Sequence, residues 1–245
     1  EMAFDYIQKN VEGQDKVIDY KTPEELQDII KFKLNNKPVS DIVLLKLIKQ
    51  YLTYSTKTTH RGFFNQLFAG NNFVAFVGEI VAAAVNGSNY TYEVSPVGTL
   101  IERELIAKIG KLISFKNTIG QFVSGGSNAN LVAMLVARNS ILSECKIEGL
   151  CSSHQLCAFV SDESHYCFIK AANILGIGLK NLIRIDVDDK GRMIPEDLEQ
   201  KVQKSIRDGC LPFFIGATCG STVLGAFDPI EKISKVARKY NIWFH

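Results

Sequence analysis

No block of lysines and arginines stands out in the 245 residues, and the net charge is only +2. A nucleic-acid surface, which needs a clustered basic footprint, is therefore not expected. No apolar run approaches the roughly 20 residues of a bilayer-spanning helix, and no secretory leader pattern opens the chain. Paired Cys-x-x-Cys spacing is missing as well: the six cysteines stand alone at 145, 151, 157, 167, 210 and 219. That argues against a zinc site. A disulfide framework is not expected in a chain this long with 46% hydrophobic residues. These absences lead to the expectation of a cytoplasmic protein with reduced thiols, without membrane or nucleic-acid partners. In that setting Asn86-Gly-Ser and Asn89-Tyr-Thr are coincidental matches to the glycosylation triplet.

What is present begins with helices. Residues 1–20 carry no clear pattern. Thr22-Pro23-Glu24-Glu25 reads as a helix opening, with Pro in the first turn, and predicts a helix through about Leu34. Ser40-Asp41 starts a second, with Ile42, Leu45, Ile48 and Leu52 along one face. Residues 55–72 read as a long loop whose Phe63, Phe64, Asn65 and Gln66 suit a pocket wall. Phe73–Val85 is so uniformly apolar that a buried helix is expected. Ser95-Pro96 predicts a helix through about Leu112, with Leu100, Leu105, Ile109 and Leu112 facing the core.

After Gly120 the pattern alternates. Strands are predicted at about 121–124, 156–161, 181–187, 211–217 and 241–245, with helices at about 127–142, 165–175, 195–207 and 228–240. Repeated β-α-β units imply a mostly parallel α/β sheet flanked by helices. Ligands bind such sheets beyond the carboxyl ends of the strands. There, Ser124-Gly-Gly-Ser-Asn128 precedes an apolar-rich helix. Glycines permit a tight turn, Ser and Asn suit an N-cap, and free N–H groups at a helix start attract an anion. The same residues could also be ordinary loop punctuation. His165 could transfer protons, stack on a planar ligand, or merely open a helix. Asp186, Asp188 and Asp189 lack calcium-loop spacing, and with Lys190-Gly191 next they read as a solvated turn. Thr218, Ser221 and Thr222 could meet a ligand edge or serve their own turn.

Six ordered motifs carry a resemblance: Phe63-Phe-Asn-Gln-Leu-Phe-Ala-Gly70, Tyr90-Thr-Tyr-Glu-Val-Ser-Pro96, Ser124-Gly-Gly-Ser127, Ser164-His-Tyr166, Gly191-Arg-Met-Ile-Pro-Glu-Asp-Leu198 and Gly225-Ala-Phe-Asp-Pro229. From about Tyr54 onward the chain resembles the group II pyridoxal-phosphate-dependent amino-acid decarboxylases, in the glutamate and cysteine-sulfinate branch. The resemblance implies the large domain of fold type I, the cofactor pyridoxal 5'-phosphate, and a homodimer with shared active sites. It divides the chain into a helical dimerisation segment, 1–66, and the first part of the cofactor domain, 67–245. It implies that Ser127 and Asn128 hold the cofactor phosphate, that His165 lies over the ring as the catalytic histidine, and that Thr218 touches the cofactor. Gln66 is implied at the substrate end, completing the partner subunit's site.

The implied reaction removes carbon dioxide from an amino acid, and the cofactor ring absorbs the resulting charge. Such a site needs a lysine for the aldehyde and a carboxylate for the ring nitrogen. In the family these follow the histidine matched by His245, so the 245 residues are expected to be a C-terminally truncated portion, inactive alone. Lys170 falls inside a predicted helix and is no substitute, and Asp228 is expected to cap the next helix. His60-Arg-Gly departs from the family's usual proline after the histidine. Phe68 leans the substrate toward shorter acids, aspartate or cysteine sulfinate over glutamate. Another fold-type-I enzyme, such as an aminotransferase or lyase, and a non-catalytic remnant or partner subunit are the alternatives.

Overall fold

The computed structural model describes residues 2–31, 36–150 and 154–245, and the chain divides into two compact units, Glu1–Tyr90 and Thr91–His245. The first unit holds helices α1 (Met2–Glu12), α2 (Pro23–Ile29), α3 (Asp41–Tyr54) and α4 (Phe73–Val85). α1 arises where no pattern was legible. α2 opens with a capping box: Glu25 N–H donates to Thr22 Oγ1 at 3.2 Å, and Thr22 N–H donates to Glu25 Oε2 at 2.8 Å. It ends sooner than expected, at Ile29, and residues 32–34 of the predicted helix lie outside the described residues. Residues 55–72 hold no helix or strand.

α4 forms where expected but is not buried. Val74 is 79% exposed, no residue of the helix is buried, and Phe76 meets Phe4 edge-on at 6.0 Å. Burying a helix that is apolar all round requires neighbours on every side, and unit 1 does not provide them.

The second unit begins with α5 (Pro96–Leu112) and α6 (Gly126–Ile141), followed by the short α7 (Cys145–Glu148). The side of α5 expected to face the core is exposed at Leu100, Leu105, Ile109 and Leu112; only Gly110 is buried. The alternating region is β1 (Gln155–Ser161), α8 (Cys167–Ile174), β2 (Leu182–Ile185), α9 (Pro195–Arg207), β3 (Cys210–Gly216), α10 (Ile230–Lys239) and β4 (Trp243–Phe244). Among the described residues these four strands pair in parallel, in the order β2-β1-β3-β4. The predicted strand at 121–124 does not form. Among the described residues no strand pairs with it, and the Phe122 N–H donates instead to Glu102 Oε1 at 2.7 Å.

β1 is buried at every residue but Gln155, because helices cover both sheet faces. Leu156, Ala158 and Val160 face α6 and α8, while Cys157 and Phe159 face α9 and α10. Pro212 sits in the inner strand β3 beside a register shift: Cys157 pairs with Pro212, but Ala158 pairs with Phe214. The extra residue, Phe213, puts both Phe213 and Phe214 on the α6 side. Five cysteines are free thiols, Cys151 lies outside the described residues, and burial pushes the Cys157 thiol up to about 12. Among the described residues no helix is long and apolar enough to cross a membrane.

Phe159 is fully buried in the central strand. Phe159→Ala is expected to cost about 3–5 kcal/mol, read from urea unfolding monitored by far-UV circular dichroism.

Candidate active site

Because the strands are parallel, β1, β2, β3 and β4 end on one edge of the sheet. The loops after them, with the start of α6, supply the candidate side chains.

Gly125 adopts φ 137°, ψ 167°, a conformation reserved in practice for glycine, and it is the N-cap of α6. Asn128 and Ala129 N–H both donate to its carbonyl, at 3.0 and 3.1 Å. Contrary to the N-cap expectation, neither Ser127 nor Asn128 caps the helix; Asn128 Nδ2 donates instead to Ser124 Oγ at 3.1 Å. The N–H groups of Gly126 and Ser127 therefore have no helical acceptor. A Cβ built on Gly125 or Gly126 would meet nothing within 4 Å beyond the local chain, so the space beside these two glycines is open. Unsatisfied amides at the positive end of a helix dipole, beside a serine hydroxyl, suit a phosphate ester.

The turn after β1 carries His165, which is exposed. Cys167 N–H donates to His165 Nδ1 at 3.1 Å, so a neutral ring holds its proton on Nε2. The same bond satisfies an amide of the first turn of α8, so His165 also opens that helix. Its ring lies 4.2 Å from the Tyr166 ring, tilted by 32°. Arg184, projecting from β2, donates to Ser161 O at 3.3 Å and to Ser164 Oγ at 3.2 Å, which ties the turn to its neighbour. Lys170 lies within α8, its ammonium 4.6 Å from the Tyr166 ring centre.

Thr218 follows β3 and is held through its backbone. Its N–H donates to Asp228 Oδ2 at 2.7 Å, and Asp228 N–H donates back to Thr218 O at 2.9 Å. The other carboxylate oxygen accepts from Met193 N–H at 2.7 Å. Asp228 is therefore not the expected helix cap: α10 is capped at Pro229, and the buried carboxylate joins two loops instead. Ser221 serves its own turn, accepting from Ala226 N–H at 3.1 Å. Asp188 also serves its own turn, as expected. The Arg192 guanidinium and backbone amides hold its carboxyl down at about 2.

His245 closes the edge beside β3: its carbonyl accepts from Ala217 N–H and its N–H donates to Ile215 O, both at 2.9 Å. Its Nε2 lies 2.9 Å from Asn130 Oδ1, and its ring is 5.5 Å from Phe214. Surrounding apolar atoms hold the imidazole below its usual pKa, although part of the residue meets solvent. Gln66 belongs to the first unit, in an exposed turn where Leu67 N–H donates to Asn65 Oδ1 at 2.8 Å.

The pyridoxal-dependent decarboxylase conserved domain matches residues 23–245. The chain belongs to the pyridoxal-dependent decarboxylase family. It is 40% identical over 230 residues to an acidic amino acid decarboxylase of Xenopus tropicalis, covering 94% of this chain and 45% of that protein. It is 39% identical over 239 residues to the cysteine sulfinic acid decarboxylase of Mus musculus, covering 98% of this chain and 48% of that protein. The crystal structure of the mouse cysteine sulfinic acid decarboxylase superposes with a TM-score of 0.92 at 37% identity, over all of this chain and 54% of that one. The chain thus spans about half the length of the curated relatives it matches.

Two residues of this edge escaped the sequence reading, Asn130 and Arg184, and Asp228 was read only as a helix cap. Arg184 was visible as a charge inside the apolar run Leu182–Ile185, and Asn130 as a polar residue in an apolar helix. Only the fold reveals what Asp228 binds.

Asp228→Ala leaves the buried Met193 amide and the half-buried Thr218 amide without acceptors and is expected to cost about 3 kcal/mol, with Asp228→Asn costing less, both by urea unfolding. A second expectation concerns pH. The unfolded chain takes up a proton at His245 near 6.5, and the folded chain does so only at lower pH. Stability is therefore full above 6.5 and falls as pH drops below it. Urea midpoints measured from about pH 7.5 to 5.5 should show this fall, and His245→Gln should flatten it.

Proposed function

We propose that the protein to which these residues belong decarboxylates a small acidic L-amino acid, aspartate, cysteine sulfinate or glutamate, using pyridoxal 5'-phosphate. The observation carrying this reading is the uncapped, open α6 start at Gly125–Asn128, on the same sheet edge as His165 and Thr218. Family membership and the names of the two relatives support it. When bound, the cofactor supplies an electron sink for the charge left as carbon dioxide departs.

The chain's own residues then have distinct tasks. The Gly126 and Ser127 amides, the Ser127 hydroxyl and Asn128 bind the phosphate and fix the ligand's position. Thr218, its backbone held by Asp228, borders the cofactor on the β3 side. His165 covers the ring and keeps a proton on Nε2, where it can donate to the substrate carboxylate. Gln66 completes the substrate end of the partner subunit's site. Residues 1–66 form the dimerisation segment and 67–245 the first part of the cofactor domain. A cytoplasmic homodimer fits the exposed apolar residues of α4.

The full-length protein is expected to release carbon dioxide from at least one of the three acids. His165→Ala should lower kcat/KM by about 10²–10⁴-fold. Ser127→Ala should weaken cofactor binding by up to about tenfold, the scale of one hydrogen bond. Keto-acid formation without carbon dioxide would overturn the proposal in favour of an aminotransferase.

A further inference from the structure

The first turns of α6, the turn after β1 and the end of β4 meet at one side chain. Asn130, half-buried, places Oδ1 2.9 Å from His245 Nε2 and Nδ2 3.1 Å from Cys167 Sγ. Cys167 Sγ lies 3.7 Å from the His165 carbonyl, and the same cysteine's N–H donates to His165 Nδ1 at 3.1 Å. Two histidines on different strand ends are thus joined through one amide and one buried thiol.

The orientation of the Asn130 amide places the protons. Cys167 S–H has an acceptor in the His165 carbonyl, so its sulfur lone pairs accept from Asn130 Nδ2–H. That turns the amide oxygen toward His245. An amide oxygen only accepts, so His245 must carry its proton on Nε2. His165 carries its proton on the same atom, because Nδ1 already accepts from Cys167. The reversed amide would set Oδ1 against the sulfur and take the thiol proton from the His165 carbonyl. Few side chains supply a donor and an acceptor on a short planar fork: alanine offers neither, and aspartate offers acceptors only. Packing alone would be served by an apolar residue here.

We propose that Asn130 is a positioning residue of the candidate site. It locks His245 in the Nε2–H tautomer and, through Cys167, steadies the turn that presents His165. The inference deepens the pyridoxal-phosphate reading and rests on it for its consequence, while the tautomers themselves do not depend on the cofactor.

Long-range ¹H–¹⁵N correlation spectra of the histidine-labelled full-length protein at neutral pH read both rings directly. The expected result is Nε2–H for His165 and His245. In Asn130→Ala, His245 should become a mixture of tautomers, and the pyridoxal 5'-phosphate dissociation constant, read by ultrafiltration, should rise up to about tenfold. Asn130→Asp keeps the acceptor for His245 and removes the donor to Cys167. It should preserve the His245 tautomer yet still weaken cofactor binding. A wild-type His245 protonated on Nδ1 overturns the proposal, and this arm needs no variant to fold. Unchanged tautomers and unchanged cofactor affinity in Asn130→Ala, with only the unfolding midpoint lowered, also overturn it by showing a purely structural role. A wild-type protein that binds no pyridoxal 5'-phosphate overturns the functional reading instead, and the tautomer spectra then still decide the lock.

Discussion

A parallel strand in the middle of a sheet must be covered on both faces, and the second unit is built around that requirement. β1 satisfies it with Leu156, Ala158 and Val160 against α6 and α8, and Cys157 and Phe159 against α9 and α10. With both faces apolar, chemistry-bearing side chains can gather only where the strands end. Even the Pro212 bulge serves the packing, since it adds a second phenylalanine to the face that α6 covers.

The edge itself is held by polar side chains. Loops that leave a sheet expose amides and carbonyls that need partners. Asp228 satisfies Thr218 and Met193, Arg184 satisfies Ser161 and Ser164, and Asn130 links Cys167 to His245. Each links residues far apart in sequence, so the positions of Thr218 and His165 depend on side chains outside the motifs that announced them. The start of α6 differs: its first amides stay unsatisfied, which is what makes it a candidate for an anion.

Helices and strands with a local signal were legible. α9 begins at Pro195 and ends at Arg207 as the pattern indicated, and the helix opening read at Thr22-Pro23 forms. The elements that failed depended on partners. Gln121–Ser124 has strand composition, but a ladder needs a neighbouring strand, and none pairs with it among the described residues. α4 and α5 are helical because their residues favour helix, yet their apolar faces stay exposed because burial is a property of surroundings. α1, with a mixed composition, left no periodic trace strong enough to read.

The sequence by itself determined the α/β alternation, the helix starts and the ordered motifs of a pyridoxal-dependent decarboxylase, because these depend on neighbours within a few residues. It also supplied Gly125, whose backbone angles only glycine adopts readily. Tertiary structure decided what those residues do for one another. Which amides Asp228 accepts from and what Asn130 connects are contacts across 10 to 115 positions of chain. No local pattern encodes them, because each exists only when parallel strands bring their ends to one edge.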